Sequence, residues 1–258
     1  TGTQALTDVS FEIESGAMIA LLGANGAGKT TLIGTLTGLV KKTSGEATVF
    51  GVDIDKDPET VRSFIGVVPQ EFNFSIFEKV LDIIVNQAGY YGMSRPEAHK
   101  RAEELLKALD LWEKRDALSR TLSGGMKRRL MIARALIHKP KFLLLDEPSA
   151  GVDVELRRGM WDFIRKIHAE GTTILLTTHY IEEAEELCDH IVILKQGSVI
   201  RDENTQALLA EQNTQSFILT TNKKLSEGGV YNFKYKSENV YEAIIGEEHS
   251  VTDMISDL

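Results

Sequence analysis

GANGAGKTT, residues 23–31, has the residue types and spacing that hold a chain of phosphates. Gly23, Gly28, Lys29 and Thr30 fit G-x-x-x-x-G-K-[ST]. The apolar run MIALLG precedes them and Leu32, Leu36 and Leu39 follow at helical spacing, which is the strand-to-helix setting the pattern requires. In that setting the glycines let backbone N–H groups wrap the phosphates, with Asn25 and Gly26 in the loop and Thr31 in the first helical turn. Lys29 reaches the outer phosphates, and the Thr30 hydroxyl can take a place on Mg²⁺.

Two further stretches supply what phosphate chemistry needs. KFLLLDEP, residues 141–148, is an apolar strand ending in two carboxylates. In a parallel sheet ligands lie beyond the carboxyl ends of the strands, which puts Asp146 and Glu147 beside the first loop's phosphates. Adjacent strand residues face opposite ways, so the pair is expected to divide its work. Asp146 would sit on the Mg²⁺ shell, and Glu147 would polarise a water that attacks the γ-phosphate. Gln70, ending IGVVPQ, could touch both metal and water, and His179, ending TTILLTTH, could donate to the γ-phosphate. Three strand ends are thus expected to converge. The other five histidines read as surface or core residues.

TLSGGMKRRL, residues 121–130, looks like a second anion-holding helix start. Ser123 can cap the helix, and Gly124 and Gly125 let an anion approach its exposed N–H groups. It has no neighbouring carboxylate for a metal and no Lys in the loop position, so it reads as a half-site acting on another molecule's nucleotide. Lys127, Arg128 and Arg129 are expected to form a solvated face.

The elements that must position these groups alternate between strand and helix, which predicts a parallel sheet covered on its faces, hence an α/β fold. VSFEIES reads as a first strand, and residues 71–120 turn helical, with Pro96 at the start of a helix expected to run over RPEAHKRAEELLKALDLWEKRDAL. Past residue 205 the alternation stops. ENTQALLAEQ reads as a connecting helix, SFILTT, VYNFKYKS and NVYEAIIG as strands, and HSVTDMISDL as a helix, making a small α+β appendage over 206–258 that stops in mid-unit. At 258 residues the chain has room for one large domain of residues 1–205 and this appendage. A net charge of -9 disfavours nucleic acid, and no apolar run approaches membrane-spanning length. The single Cys188 reads as a small buried side chain. The chain begins Thr1-Gly2-Thr3, with neither Met nor a signal-like segment, and reads as a fragment with its start upstream.

Taken in order and spacing, GANGAGKT, Gln70, LSGGM, FLLLDEP and His179 resemble the nucleotide-binding subunit of ATP-binding cassette (ABC) transporters. The resemblance covers about residues 1–205. LSGGMKRR together with SAGVD, residues 149–153, is most similar to ATPases of type-2 (ABC-2) exporters of drugs, polysaccharides or lipids. It implies a P-loop NTPase core with an antiparallel β subdomain and a helical subdomain at about 71–120. It also implies a cytoplasmic ATPase, held at the inner face of the membrane by a separate permease. In the family two such subunits, identical or homologous, pack head to tail around two MgATP. Carried onto this chain, Ser123 and Gly125 would touch the partner's γ-phosphate and Asp153 would link the two sites.

Three departures stand against that pattern. The family stacks adenine on an aromatic residue just upstream of this chain's start, and TGTQAL has none. Met126 replaces the common Gln, and Gly-Val replaces the commoner Ala-Leu before Asp153. The appendage is shorter than in related exporter ATPases. The rival readings are a soluble relative acting on nucleic acid or ribosomes, a small-molecule kinase, and a binding-only regulator. The first would carry a coiled-coil insertion or two cassettes, the second would show substrate-stimulated phosphoryl transfer, and the third would lack Glu147 or His179.

Overall fold

The computed structural model describes residues 4–150, 154–212, 215–221, 233–237 and 240–245. The chain divides into two compact units, Thr1–Asp202 and Glu203–Leu258.

The larger unit is built on a six-stranded sheet. Its strands are β1 (Met18–Leu22), β4 (Ile65–Val68), β5 (Phe142–Asp146), β6 (Thr173–Thr178), β7 (His190–Lys195) and β8 (Ser198–Asn204), in the order β4-β5-β6-β1-β7-β8. Pairing is parallel from β4 through to β7, with Asp146 opposite Thr177 and Leu22 opposite Thr178. Every residue of β1, β5 and β6 is buried, which is why these strands carry apolar runs such as MIALL, FLLL and ILL rather than an alternating pattern. Helices α1 (Lys29–Leu36), α2 (Pro58–Phe64), α5 (Gly124–Leu136), α6 (Val154–Ala169) and α7 (Ile181–Leu187) connect the strands. Ile19, Leu21, Ile33, Leu144, Leu175 and Val192 belong to one core cluster, each such aliphatic side chain contributing about 1.5–3 kcal/mol by burial.

The stretch expected as a first strand forms none. Val9, Phe11 and Ile13 pack as irregular chain against the core, and regular antiparallel structure in this region is confined to the hairpin of β2 (Thr48–Val49) and β3 (Val52–Asp53). Phe50 and Gly51 both take positive φ in its two-residue turn, the combination that matches strand twist.

Residues 71–120 hold α3 (Val80–Tyr90) and α4 (Arg95–Ala108). The second is shorter than expected because Asp110 turns left-handed at φ 53, and the Leu111 N–H closes back on the Leu106 carbonyl at 2.7 Å. Leu106 and Leu111 are both fully buried, the apolar contact that commonly accompanies such a helix stop. Trp112–Lys114 then make a separate short 3-10 turn.

The smaller unit contains α8 (Thr205–Gln212) and a three-stranded antiparallel sheet of β9 (Gln215–Thr220), β10 (Lys234–Ser237) and β11 (Val240–Ile245), in the order β10-β11-β9. The helix expected at HSVTDMISDL lies outside the described residues. Among the described residues no helix is long and apolar enough to cross a membrane.

Candidate active site

The loop after β1 passes so close to β7 that a Cβ on Gly23 would lie 2.5 Å from the Leu194 carbonyl oxygen. Gly28, at φ 110, caps α1 with no side-chain bond. The first-turn N–H groups of Lys29, Thr30 and Thr31 have no acceptor within the helix, so the turn presents a positive end. Lys29 is buried, and its Nζ donates to the carbonyls of Gly23 at 2.7 Å and Ala24 at 3.3 Å.

Glu147 is the hub of the site. Its Oε1 lies 3.3 Å from Lys29 Nζ and 3.4 Å from His179 Nδ1, and its Oε2 accepts from Gln70 Nε2 at 3.2 Å. These groups come from the ends of three adjacent strands and from the Gly-rich loop, so the expected convergence is present in the fold. Asp146 stands beside it. Its Oδ2 accepts from Thr30 Oγ1 at 3.1 Å and its Oδ1 from Thr177 Oγ1 at 2.6 Å.

The alternation expected for the two carboxylates does not hold. β5 ends at Asp146, and Glu147 turns out of the strand at φ 47, so both acids reach groups of the same loop-helix junction. Its backbone N–H is held by the Oγ1 and the carbonyl of Thr177, each at 3.1 Å. Thr177 is therefore part of the site, and sequence reasoning missed it. The available signal was a hydroxyl two residues before the strand-end His179, on the strand paired with Asp146.

Ser123 caps α5 as expected, its Oγ accepting from the Met126 N–H at 3.3 Å. Among the described residues no hydrogen bond or ion pair joins Ser123, Gly124 or Gly125 to the Glu147 cluster. Asp153 lies outside the described residues. Two of the three basic residues behind Ser123, Arg128 and Arg129, correct the solvated-face expectation. Arg128 is 4% exposed and donates from Nη1 to the Pro69 carbonyl at 2.8 Å and from Nη2 to the Gln70 carbonyl at 2.9 Å. Arg129 Nη1 donates to the Leu109 carbonyl at 2.9 Å and pairs with Asp110 at 3.6 Å. Arg128 is a charge that survives burial by binding two carbonyls, and Arg129 is half-buried with a carbonyl and a carboxylate as partners. Burial lowers the Arg128 guanidinium pKa from its ordinary value, against the pull of the Asp146, Glu147 and Glu183 carboxylates.

This arrangement can bind a polyphosphate at the loop and α1, hold a divalent ion between Thr30 and Asp146, and orient a water against Glu147. The chain resembles known proteins in both sequence and fold. The ABC transporter family matches residues 6–150. Nod factor export ATP-binding protein I of Burkholderia lata is 40% identical over 204 residues, spanning 79% of this chain and 67% of that protein. The daunorubicin/doxorubicin resistance ATP-binding protein DrrA of Streptomyces peucetius is 39% identical over 207 residues, spanning 80% and 63%. A dimeric ATP-binding cassette solved in a post-hydrolysis state with ADP and Pi is 31% identical, with TM-score 0.72 over 80% of this chain and 94% of that one. Across the curated relatives the chain spans from 60% to 68% of their length. By family match, sequence identity and fold, this chain belongs to the ABC transporter family, among its ATP-binding proteins.

Proposed function

We propose that the chain hydrolyses ATP to drive a separate ABC-2 type permease in export. The observation that carries this reading is the convergence of Lys29, Gln70 and His179 on Glu147, with Thr30 and Thr177 on Asp146. In this reading the loop from Asn25 and Gly26 to Gly28 wraps the phosphates, and Thr31 adds a first-turn N–H. Lys29 exchanges its carbonyl partners and Glu147 for the outer phosphates. Released from that cation, Glu147 accepts a hydrogen bond from the attacking water, Gln70 orients the water, and His179 donates to the γ-phosphate.

Thr30, Asp146 and Gln70 suit a Mg²⁺ ion. A hydroxyl and a carboxylate already side by side, with an amide nearby, are the hard oxygen donors it takes beside phosphate oxygens. The ion would neutralise charge developing on the phosphates. Glu147, which leaves the strand and turns toward Lys29, stays outside that donor set and takes the water once Lys29 moves to the phosphates.

Two chains would close head to tail, Ser123, Gly124 and Gly125 of each meeting the partner's γ-phosphate, with Asp153 between the sites. The exposed Ser123 hydroxyl, apart from the chain's own Glu147 cluster, supports this reading. A groove between α3 and the loop after β4, lined by Asn73, Phe74, Glu78, Asn86, Tyr90 and Arg134, suits a permease segment at the membrane's inner face. Phe72, Ile76, Phe77 and Tyr90 expose apolar surface around it. Export follows the relatives, two of which are named for Nod factor export and drug resistance. Nothing in the -9 net charge favours nucleic acid as the partner.

Glu147→Gln tests the hydrolytic role. Turnover should fall by roughly 10²-fold or more while nucleotide binding survives. Unchanged turnover would remove Glu147 as the base.

A further inference from the structure

Arg128 is a buried cation that the site's chemistry does not use directly. It lies on the second turn of α5, the helix whose first residues follow Ser123. Its two terminal nitrogens grip the carbonyls of Pro69 and Gln70, while its Nε has no hydrogen-bond partner among the described residues. The guanidinium carbon lies 5.4 Å from the centre of the Phe72 ring, so the side chain is clasped between the backbone and one ring of the same loop. Six residues on, Arg134 of the same helix donates to Asn73. Helix α5 therefore holds the loop after β4 at two points. At the start of that loop the Gln70 amide meets Glu147 at 3.2 Å.

A planar fork binding two successive carbonyls fixes the direction of the peptide between them, which a single contact does not do. The peptide fixed here is the one that carries the Gln70 side chain. A rotation or shift of α5 therefore moves Gln70 relative to Glu147. We propose that Arg128 is a positioning residue that couples the Ser123 half-site to the hydrolytic base, by setting Gln70 against Glu147 from the helix that presents Ser123. This rests on the reading of Glu147 as the base. Engagement of Ser123 with a partner's nucleotide reaches Glu147 through one side chain, and a chain whose α5 is displaced has its amide out of place.

The arrangement makes a specific demand on mutant kinetics. Arg128 holds backbone atoms, so it still grips the loop when the Gln70 side chain is removed, but it then has no amide to aim. Arg128→Met should lower kcat by roughly 10-fold with the KM for ATP changed less than about 2-fold, because the loss falls on the chemical step. In a Gln70→Ala chain the same substitution should cost less than about 2-fold further. Arg128→Lys, a point charge without the fork, should give a smaller loss with the same dependence on Gln70, and it serves as the test pair if the Met variant does not fold. An equal loss in both backgrounds would overturn the proposal, and so would no loss in either. These outcomes are separate from those of Glu147→Gln, which tests the base itself whatever the Arg128 and Gln70 cycle returns.

Discussion

Thr177→Val isolates one contact in the site at nearly constant shape. The wild-type hydroxyl is fully buried, donates to Asp146 at 2.6 Å and accepts from the Glu147 N–H at 3.1 Å. Valine fills the same space, so no cavity term enters. The Glu147 N–H keeps the Thr177 carbonyl, and the main loss is one hydrogen bond to a buried carboxylate, about 1.5–3 kcal/mol. Since 1 kcal/mol moves Tm by about 2–4 °C in a domain of this size, the expected fall is about 3–12 °C. Thr177→Ser, which keeps the hydroxyl and drops a methyl, should lose about 1 kcal/mol. Calorimetry of the three chains reads both numbers. A Val variant melting within about 1 °C of wild type would show that the hydroxyl does not hold Asp146, and the description of the site would fail at that point.

Other consequences are as direct. Gly23→Ala places a Cβ 2.5 Å from the Leu194 carbonyl, so the loop must shift. ATP binding measured by titration should weaken by roughly 10-fold or more, and unchanged affinity would mean that the loop does not carry the phosphates. His138 stacks on Tyr91 at 3.6 Å with its Nε2 at the Ile65 carbonyl, and burial lowers its pKa below the ordinary 6.5. The unfolded chain therefore binds the proton more readily than the folded one. This group's contribution to stability is complete above pH 6.5 and is lost as pH falls through the window below it. His138→Phe, which keeps a ring against Tyr91, should flatten the fall in Tm as pH drops below about 6.5, and an unchanged pH profile would assign that fall to other groups.

How much of this was readable from the chain depends on how far apart the partners lie. Lys29, Thr30, Asp146 and Glu147 stand in short contiguous motifs, and buried parallel strands deliver their ends to one edge of the sheet. The neighbours Gln70, Glu147 and His179 are therefore recognisable as neighbours from the sequence. Arg128 and Thr177 could not. Each works through strand or loop register with residues 58 and 31 positions away, and a basic residue in a helix's second turn looks like any surface cation until the loop it grips is seen. The Glu147 turn escaped for a local reason, because a positive φ in a non-glycine residue leaves no mark in the sequence. VSFEIES shows the reverse failure, since an alternating pattern marks a side of chain that packs inward whether or not a strand pairs with it.

If the Ser123 half-site completes the nucleotide site of a second chain, two chains must close around MgATP and Ser123 must be needed for the closure. Sedimentation velocity of the Glu147→Gln chain with MgATP, with and without Ser123→Arg, tests it most directly. Glu147→Gln alone should form a dimer, and adding Ser123→Arg should leave monomers that still bind ATP. A dimer that survives Ser123→Arg, or monomers that lose ATP binding with it, would contradict the claim.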